Sequence, residues 1–191
     1  MRRKPTREEA WKLLVEYNPS LSLQRHALSV EAVMRHQARQ QGEDEDMWGL
    51  VGMAHDIDYE RYPEQHCVKA REILDQHDWP EAYVRAVVSH GWGLCCDVEP
   101  LSAMEKTLYA VDELTGLVTA AALVRPSRSV LDLPVKSVLK RWKERSFAAG
   151  VDRGVIEKGA AMLGVDVADL TGSAIEGMRA VAAEIGLKGS L

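Results

Sequence analysis

An all-α helical bundle is the fold that this sequence predicts, on three observations. Apolar residues recur at three- and four-residue spacing along almost the whole chain, as they do on the buried stripes of amphipathic helices. No stretch alternates apolar with polar residues in the manner of a half-buried strand, and no internal repeat or low-complexity tract breaks the pattern. Helix start and stop signals bracket the periodic segments one after another.

The first helix starts at Thr6, which has capping-box spacing to Glu9, and stops before "NPS" at Asn18. A second runs from about Ser22 to Gln41, with Ala27, Val30 and Val33 on its inner stripe and Gly42 as its terminator. The third covers roughly Asp44 to His55. Pro63 opens a fourth in "YPEQHCVKAREILDQH", and Pro80 opens a fifth in "WPEAYVRAVVSHG", which Gly91 closes. Ser102 and Glu105 cap a long sixth helix that finishes near Arg125 and Pro126. "SRSVLDLPV" then reads as a connector. After it come a basic amphipathic segment, "VKSVLKRWKERSF", and two more helices up to Leu187. A soft boundary near Ser127 separates a helical domain, 1–126, from a C-terminal extension, 127–191, expected to pack on the same core.

A chain of 191 residues is long enough to bury a real core. Its net charge of −5, with both signs interspersed, argues against a surface for a nucleic-acid polymer. A small phosphorylated molecule remains compatible with that charge. Three cysteines, two of them adjacent at Cys95 and Cys96, make no disulfide framework and suit a reducing cytoplasm. The basic start "MRRKPTREEA" is followed by no apolar signal-peptide core, and "GLVTAAALV" is too short to cross a bilayer. A cytoplasmic protein with no membrane partner is expected; the oligomeric state is open.

Several polar side chains fall where these helices should bury apolar ones. His26 shares a face with Val30 and Val33. His55 ends the third helix one turn after Val51, and Asp56 follows where the helix stops. His66 is expected beside Ala70 and Ile73 on the fourth helix, and His90 beside Tyr83, Ala86 and Val87 on the fifth. Asp112 lies four residues after Leu108. A buried aspartate costs several kcal/mol unless it is neutralised, and each unpaired imidazole adds its own desolvation penalty. A divalent cation would remove both costs. His36 and His77 fall off this pattern, one away from the His26 stripe and one at a helix end, and read as ordinary partly exposed residues. Cys95 and Cys96 read as buried small residues, since nothing near them repeats a zinc-type spacing.

His26, the pair His55–Asp56 in "MAHDIDYERYPEQH", and Asp112 in "AVDELTG" together resemble the signature of the HD-domain metal-dependent phosphohydrolases. The likeness runs from about His26 to Arg125, and "DELTGLVTAAALVRPS" is further similar to small bacterial predicted hydrolases of that superfamily. The resemblance implies an all-helical fold in which His26, His55, Asp56 and Asp112 bind one metal ion, with His55, Asp56 and Asp112 central to catalysis. Two-metal members add two histidines between the HD pair and the last aspartate. His66 and His90 occur in that order here, and the resemblance makes Asp56 the carboxylate shared by two cations. No "GYP" follows, and "HDIDYE" lacks the glycine of the HDIG variant, which argues against a cyclic-dinucleotide phosphodiesterase.

The implied cofactor is one or two divalent transition-metal ions, iron or manganese before zinc, cobalt or nickel. The implied partner is a nucleotide or other small phosphorylated substrate, with Arg25, Lys69, Arg125 and Lys136 as candidate phosphate-binding cations and Arg61 and Lys140 behind them. The basic run itself reads as the solvated face of a helix whose Val138, Leu139 and Trp142 are buried. Two other functions fit the same residues: a di-iron oxygenase of HD fold, and a non-catalytic metal-binding module.

Overall fold

The computed structural model describes residues 3–190 and is all-helical. Nine α-helices are present among these residues: α1 (Arg7–Tyr17), α2 (Leu21–Gln41), α3 (Glu45–Ala54), α4 (Val68–Gln76), α5 (Glu81–Ser89), α6 (Ala103–Leu123), α7 (Val135–Trp142), α8 (Arg153–Leu163) and α9 (Val167–Arg179). The start signals act as expected. Thr6 Oγ1 accepts from Glu9 N–H while Glu9 accepts back from Thr6 N–H, and Ser102 and Glu105 repeat the arrangement at α6. Gly42 ends α2 in the left-handed conformation, with φ 71°.

Long helix α2 packs against α3, α6 and α9, and α6 also packs against α8. Small residues set these approaches. A Cβ on Gly52 would lie 2.9 Å from Met34 Cγ and 3.1 Å from the Val30 carbonyl oxygen, so α3 can lie on α2 only because position 52 has no side chain. One apolar core contains Leu14, Met34, Met53, Leu74, Leu108, Ile156 and Met178, from α1 through to α9. Each such aliphatic contributes about 1.5–3 kcal/mol by leaving water. No helix among the described residues is long and apolar enough to cross a membrane.

The fourth helix departs from expectation. Pro63 opens only a single 3₁₀ turn, Pro63–Gln65, after which His66 is extended (φ −54°, ψ 144°) and Cys67 left-handed (φ 67°). Helix α4 begins at Val68, so His66 stands ahead of the helix and not on the Ala70–Ile73 face. Its N-terminus has no cap from its own flank; instead Asp58 reaches across and accepts the Ala70 N–H at 2.7 Å.

The connection between α7 and α8 helps to wall the cleft described below. Buried Arg153 donates to the carbonyls of Trp142 at 3.0 Å and Phe147 at 2.7 Å, which pins the α7–α8 connection against the bundle. That connection delivers Gly150 to the cleft. On α7, Lys136 and Lys140 are exposed on the solvated basic face expected of this segment, but of the expected buried stripe only Val138 is buried, and Leu139 and Trp142 are half-buried.

Candidate metal centre

Each imidazole is fixed by a hydrogen bond from its Nδ1. His55, which follows the last residue of α3, donates Nδ1–H to the Gly52 carbonyl at 2.8 Å, and His90, at the end of α5, donates to the Val87 carbonyl at 2.5 Å. His66 Nδ1 lies 2.7 Å from Asp58 Oδ1. His26 Nδ1 lies 3.4 Å from Thr115 Oγ1, whose own hydrogen goes to the Asp112 carbonyl at 2.8 Å. Carbonyl and carboxylate oxygens only accept, and the Thr115 hydroxyl has given its hydrogen elsewhere, so Nδ1 keeps its proton and Nε2 is the nitrogen whose lone pair each ring, when neutral, offers to a cation.

Those lone pairs converge in two groups. His26 Nε2 lies 3.1 Å from His55 Nε2 and 2.9 Å from Asp112 Oδ1, with His55 Nε2 3.2 Å from the same oxygen. His66 Nε2 lies 3.0 Å from His90 Nε2. Asp56 stands between the groups: its Oδ2 is 3.4 Å from His55 and 3.7 Å from His26, and its Oδ1 is 3.5 Å from both His66 and His90. All six expected metal-site residues are thus brought together from α2, α5, α6 and the two ends of the α3–α4 loop. Facing lone pairs at 3.0 Å repel one another unless a proton or a cation lies between them. These buried His and Asp groups could therefore hold a metal ion.

The electrostatics agree with that reading. Burial opposes a charge on His55, yet the carboxylates of Asp56 and Asp112 outweigh it and hold the imidazole well above its ordinary value. His90 is raised against burial by its hydrogen bond to Asp56. Burial likewise disfavours the charged carboxylates, but His55 overcomes it and keeps both Asp56 and Asp112 well below the usual range. Glu113 behaves oppositely: burial, then the neighbouring Asp112 charge, pushes it up.

The group opens on a cleft of about 430 Å³ lined by Leu23, Tyr59, Pro63, Leu94, Glu113 and Gly150 together with His26, Asp56, His66, His90 and Asp112, while His55 lies buried behind them. The expected phosphate-binding cations do not line it. Arg25 borders an adjoining cavity of about 290 Å³ that shares His26 and Gly116 with the cleft. Lys69 pairs with Glu72 at 2.5 Å, Arg125 pairs with Asp132 at 2.8 Å, Arg61 donates to the Glu16 carbonyl at 2.7 Å, and Lys136 is exposed on α7. His36, off the His26 stripe, and His77, at a helix end, both lie outside the cleft. No family model, curated protein or solved structure matches this chain.

Sequence reasoning missed four residues. Asp58 is fully buried and orients His66; its only signal is the second acidic letter of "HDID". Asn18, read as a helix stop, donates to the Ile57 carbonyl at 2.9 Å and accepts from Glu60 N–H at 3.1 Å, tying down the loop that carries Asp56. Thr115, one turn after Asp112, carries the His26 contact. Cys67 is buried beside His66 and His90, and the reading of Cys95 and Cys96 as buried is corrected: Cys95 is exposed at the cleft and Cys96 is half-buried. Their chain turns sharply after His90, so the pair sits on a loop over the site and not in a helix core. Hydrogen bonds shared with Cys95 and Cys96 push the Cys67 thiol up, and the bond to Cys67 brings Cys95 down to about 7.

Proposed function

We propose that this chain is a metal-dependent phosphohydrolase of the HD type, acting on a small molecule that carries one phosphoryl group. The observation that carries the proposal is the division of four imidazole Nε2 atoms between the two oxygens of one carboxylate, Asp56. His26, His55, Asp112 and Asp56 Oδ2 would hold one cation, and His66, His90 and Asp56 Oδ1 a second. Imidazoles mixed with carboxylates suit iron or manganese, with zinc, cobalt and nickel as alternatives. Divalent cations bound there supply Lewis acidity toward phosphoryl oxygens and bring the pKa of water down toward neutrality.

The chain's own contribution is position and enclosure. The Nδ1–H bonds of the four histidines lock their ring planes, so the site needs little reorganisation when it is filled. Leu23, Tyr59, Pro63 and Leu94 give the cleft apolar walls that limit water around the scissile ester. Charge narrows the substrate. Two dications exceed the charge of the Asp56 and Asp112 carboxylates, and the surplus positive charge suits a single phosphate monoester. Among the described residues no lysine or arginine lines the cleft, so the further phosphates of a nucleoside triphosphate would find no partner there.

Elemental analysis of the purified protein, followed by phosphate release from an aryl monophosphate and from nucleoside mono- and triphosphates, tests the proposal. Bound transition metal and preferential turnover of monoesters are expected, with chelation, His55→Ala and Asp56→Ala each reducing turnover to background. Retention of full metal content and activity by both variants would overturn it. Oxygen consumption by an iron-loaded protein that releases no phosphate would replace it with the oxygenase reading.

A further inference from the structure

The second candidate cation position has a sulfur beside it that the first lacks. Cys67 is 1 % exposed, and its Sγ and one ring nitrogen each from His66 and His90 lie within 4.8 Å of one another. The corresponding group at the first position is His26, His55 and Asp112, with no thiol.

Two features hold Cys67 in this place. Its φ of 67° lies in the left-handed region, where a residue other than glycine costs of order 1–3 kcal/mol and persists only when its surroundings demand it. That conformation reverses the chain between extended His66 and the first turn of α4. The facing residue is Gly91, directly after His90, and a Cβ there would lie 2.5 Å from Cys67 Sγ and closer still to Cys95 Sγ. Any other residue at position 91 would drive the thiols out. Cys95 Sγ itself stands 3.1 Å from Cys67 Sγ, close enough for the two thiols to share a proton.

Resting on the metal-centre reading above, we propose that Cys67 is a ligand of the second cation. That cation would then have two imidazoles, one carboxylate oxygen and one thiolate, against two imidazoles and two carboxylates at the first. On loading, the Cys67 S–H bond breaks, its proton leaves to solvent, and the sulfur lone pair forms the bond to the metal. A thiolate ligand shifts preference toward softer ions such as zinc, whereas the first set stays suited to manganese or iron. The two positions therefore differ in chemistry, and the centre favours two unlike metals.

Titration of metal-free, fully reduced protein with cobalt(II) tests this through absorbance in the near ultraviolet, where thiolate-to-cobalt charge transfer is seen. The band is expected to grow with the second equivalent, to persist in Cys95→Ser and to vanish in Cys67→Ser. Cys67→Ser should also weaken the second equivalent by about tenfold or more while leaving the first unchanged. Two bound cobalt ions without the band in the native chain would overturn the proposal even if Cys67→Ser fails to fold. A band that survives in a folded Cys67→Ser would overturn it as well, and would point to Cys95. Failure to bind any cobalt would instead sink the metal-centre reading, and this proposal with it.

Discussion

The carboxylate of Asp58 accepts two hydrogen bonds at once, one oxygen from His66 and the other from the Ala70 N–H, each at 2.7 Å, and it is fully buried. Asparagine at that position has one acceptor oxygen and one NH₂, so one of the two donors would face another donor. Asp58→Asn is therefore expected to lower metal affinity at the His66–His90 position by about 10–100-fold, as loss of a carboxylate behind a histidine ligand does. Calorimetric metal titration checks this; an unchanged second binding event would show that Asp58 serves only the helix. His26 and Asp112 were legible in the sequence because each sits on a regular helix whose apolar period fixes where its side chain points, and they meet at 2.9 Å. Asp58 and Thr115 were not legible in the same way. Their roles depend on which histidine the fold brings within hydrogen-bond reach, and periodicity carries no information about that. Cys95 and Cys96 failed for the complementary reason: their hydrophobic character suggests burial, whereas the loop after His90 leaves Cys95 exposed.

Between α3 and α4 the chain carries His55, Asp56, Asp58 and His66 through a run of tight turns, with no helix of full length to stiffen it. Its order comes from outside. Asn18, fully buried at the end of α1, holds the Ile57 carbonyl and the Glu60 N–H, and so grips the loop on both sides of Asp58. Asn18→Ala leaves those two backbone groups without their partner and is expected to cost about 1–3 kcal/mol. Chemical denaturation measures that loss, and a second readout separates it from a general effect: metal affinity should fall while α6, which carries Asp112, keeps its helicity. A change in stability with no change in metal affinity would remove Asn18 from any role in the site. The regular elements were legible because caps and period agree, as at Thr6 and Ser102. Helix α4 was misread at its start because proline at a first helical turn is an ordinary signal, and here a distant aspartate overrides it by capping three residues past the left-handed Cys67. What local sequence cannot encode is a cap supplied from another part of the chain.

For the whole molecule, the proposed metal centre would be a place where protons and metal ions compete, and that competition would fix how stability varies with pH. In the metal-free protein His55 is raised well above its ordinary value by Asp56 and Asp112. A raised imidazole contributes stability that is complete below its unfolded value of about 6.5 and is lost as pH climbs through the folded value. Asp56 and Asp112 are depressed, so their contribution is present above the usual carboxylate range and is lost as pH falls toward their folded values. Both statements describe the same ion pairs, so the metal-free chain should be most stable between the two ranges and should weaken on the alkaline side. Bound metal replaces the shared proton and binds more tightly as the imidazoles lose theirs, so it should remove the alkaline weakening. At a free metal concentration a hundredfold above Kd, one ion adds about 2.7 kcal/mol, or roughly 5–10 °C in Tm for a chain of this size. Thermal unfolding with manganese and with chelator, at about pH 5.5 and about pH 8, should therefore give a metal-induced rise in Tm that is small at the lower pH and grows at the higher. A rise equal at both would mean that metal binds without displacing a proton, and the competition between the two would be absent; no rise at either pH would mean that the histidines hold one another through hydrogen bonds alone.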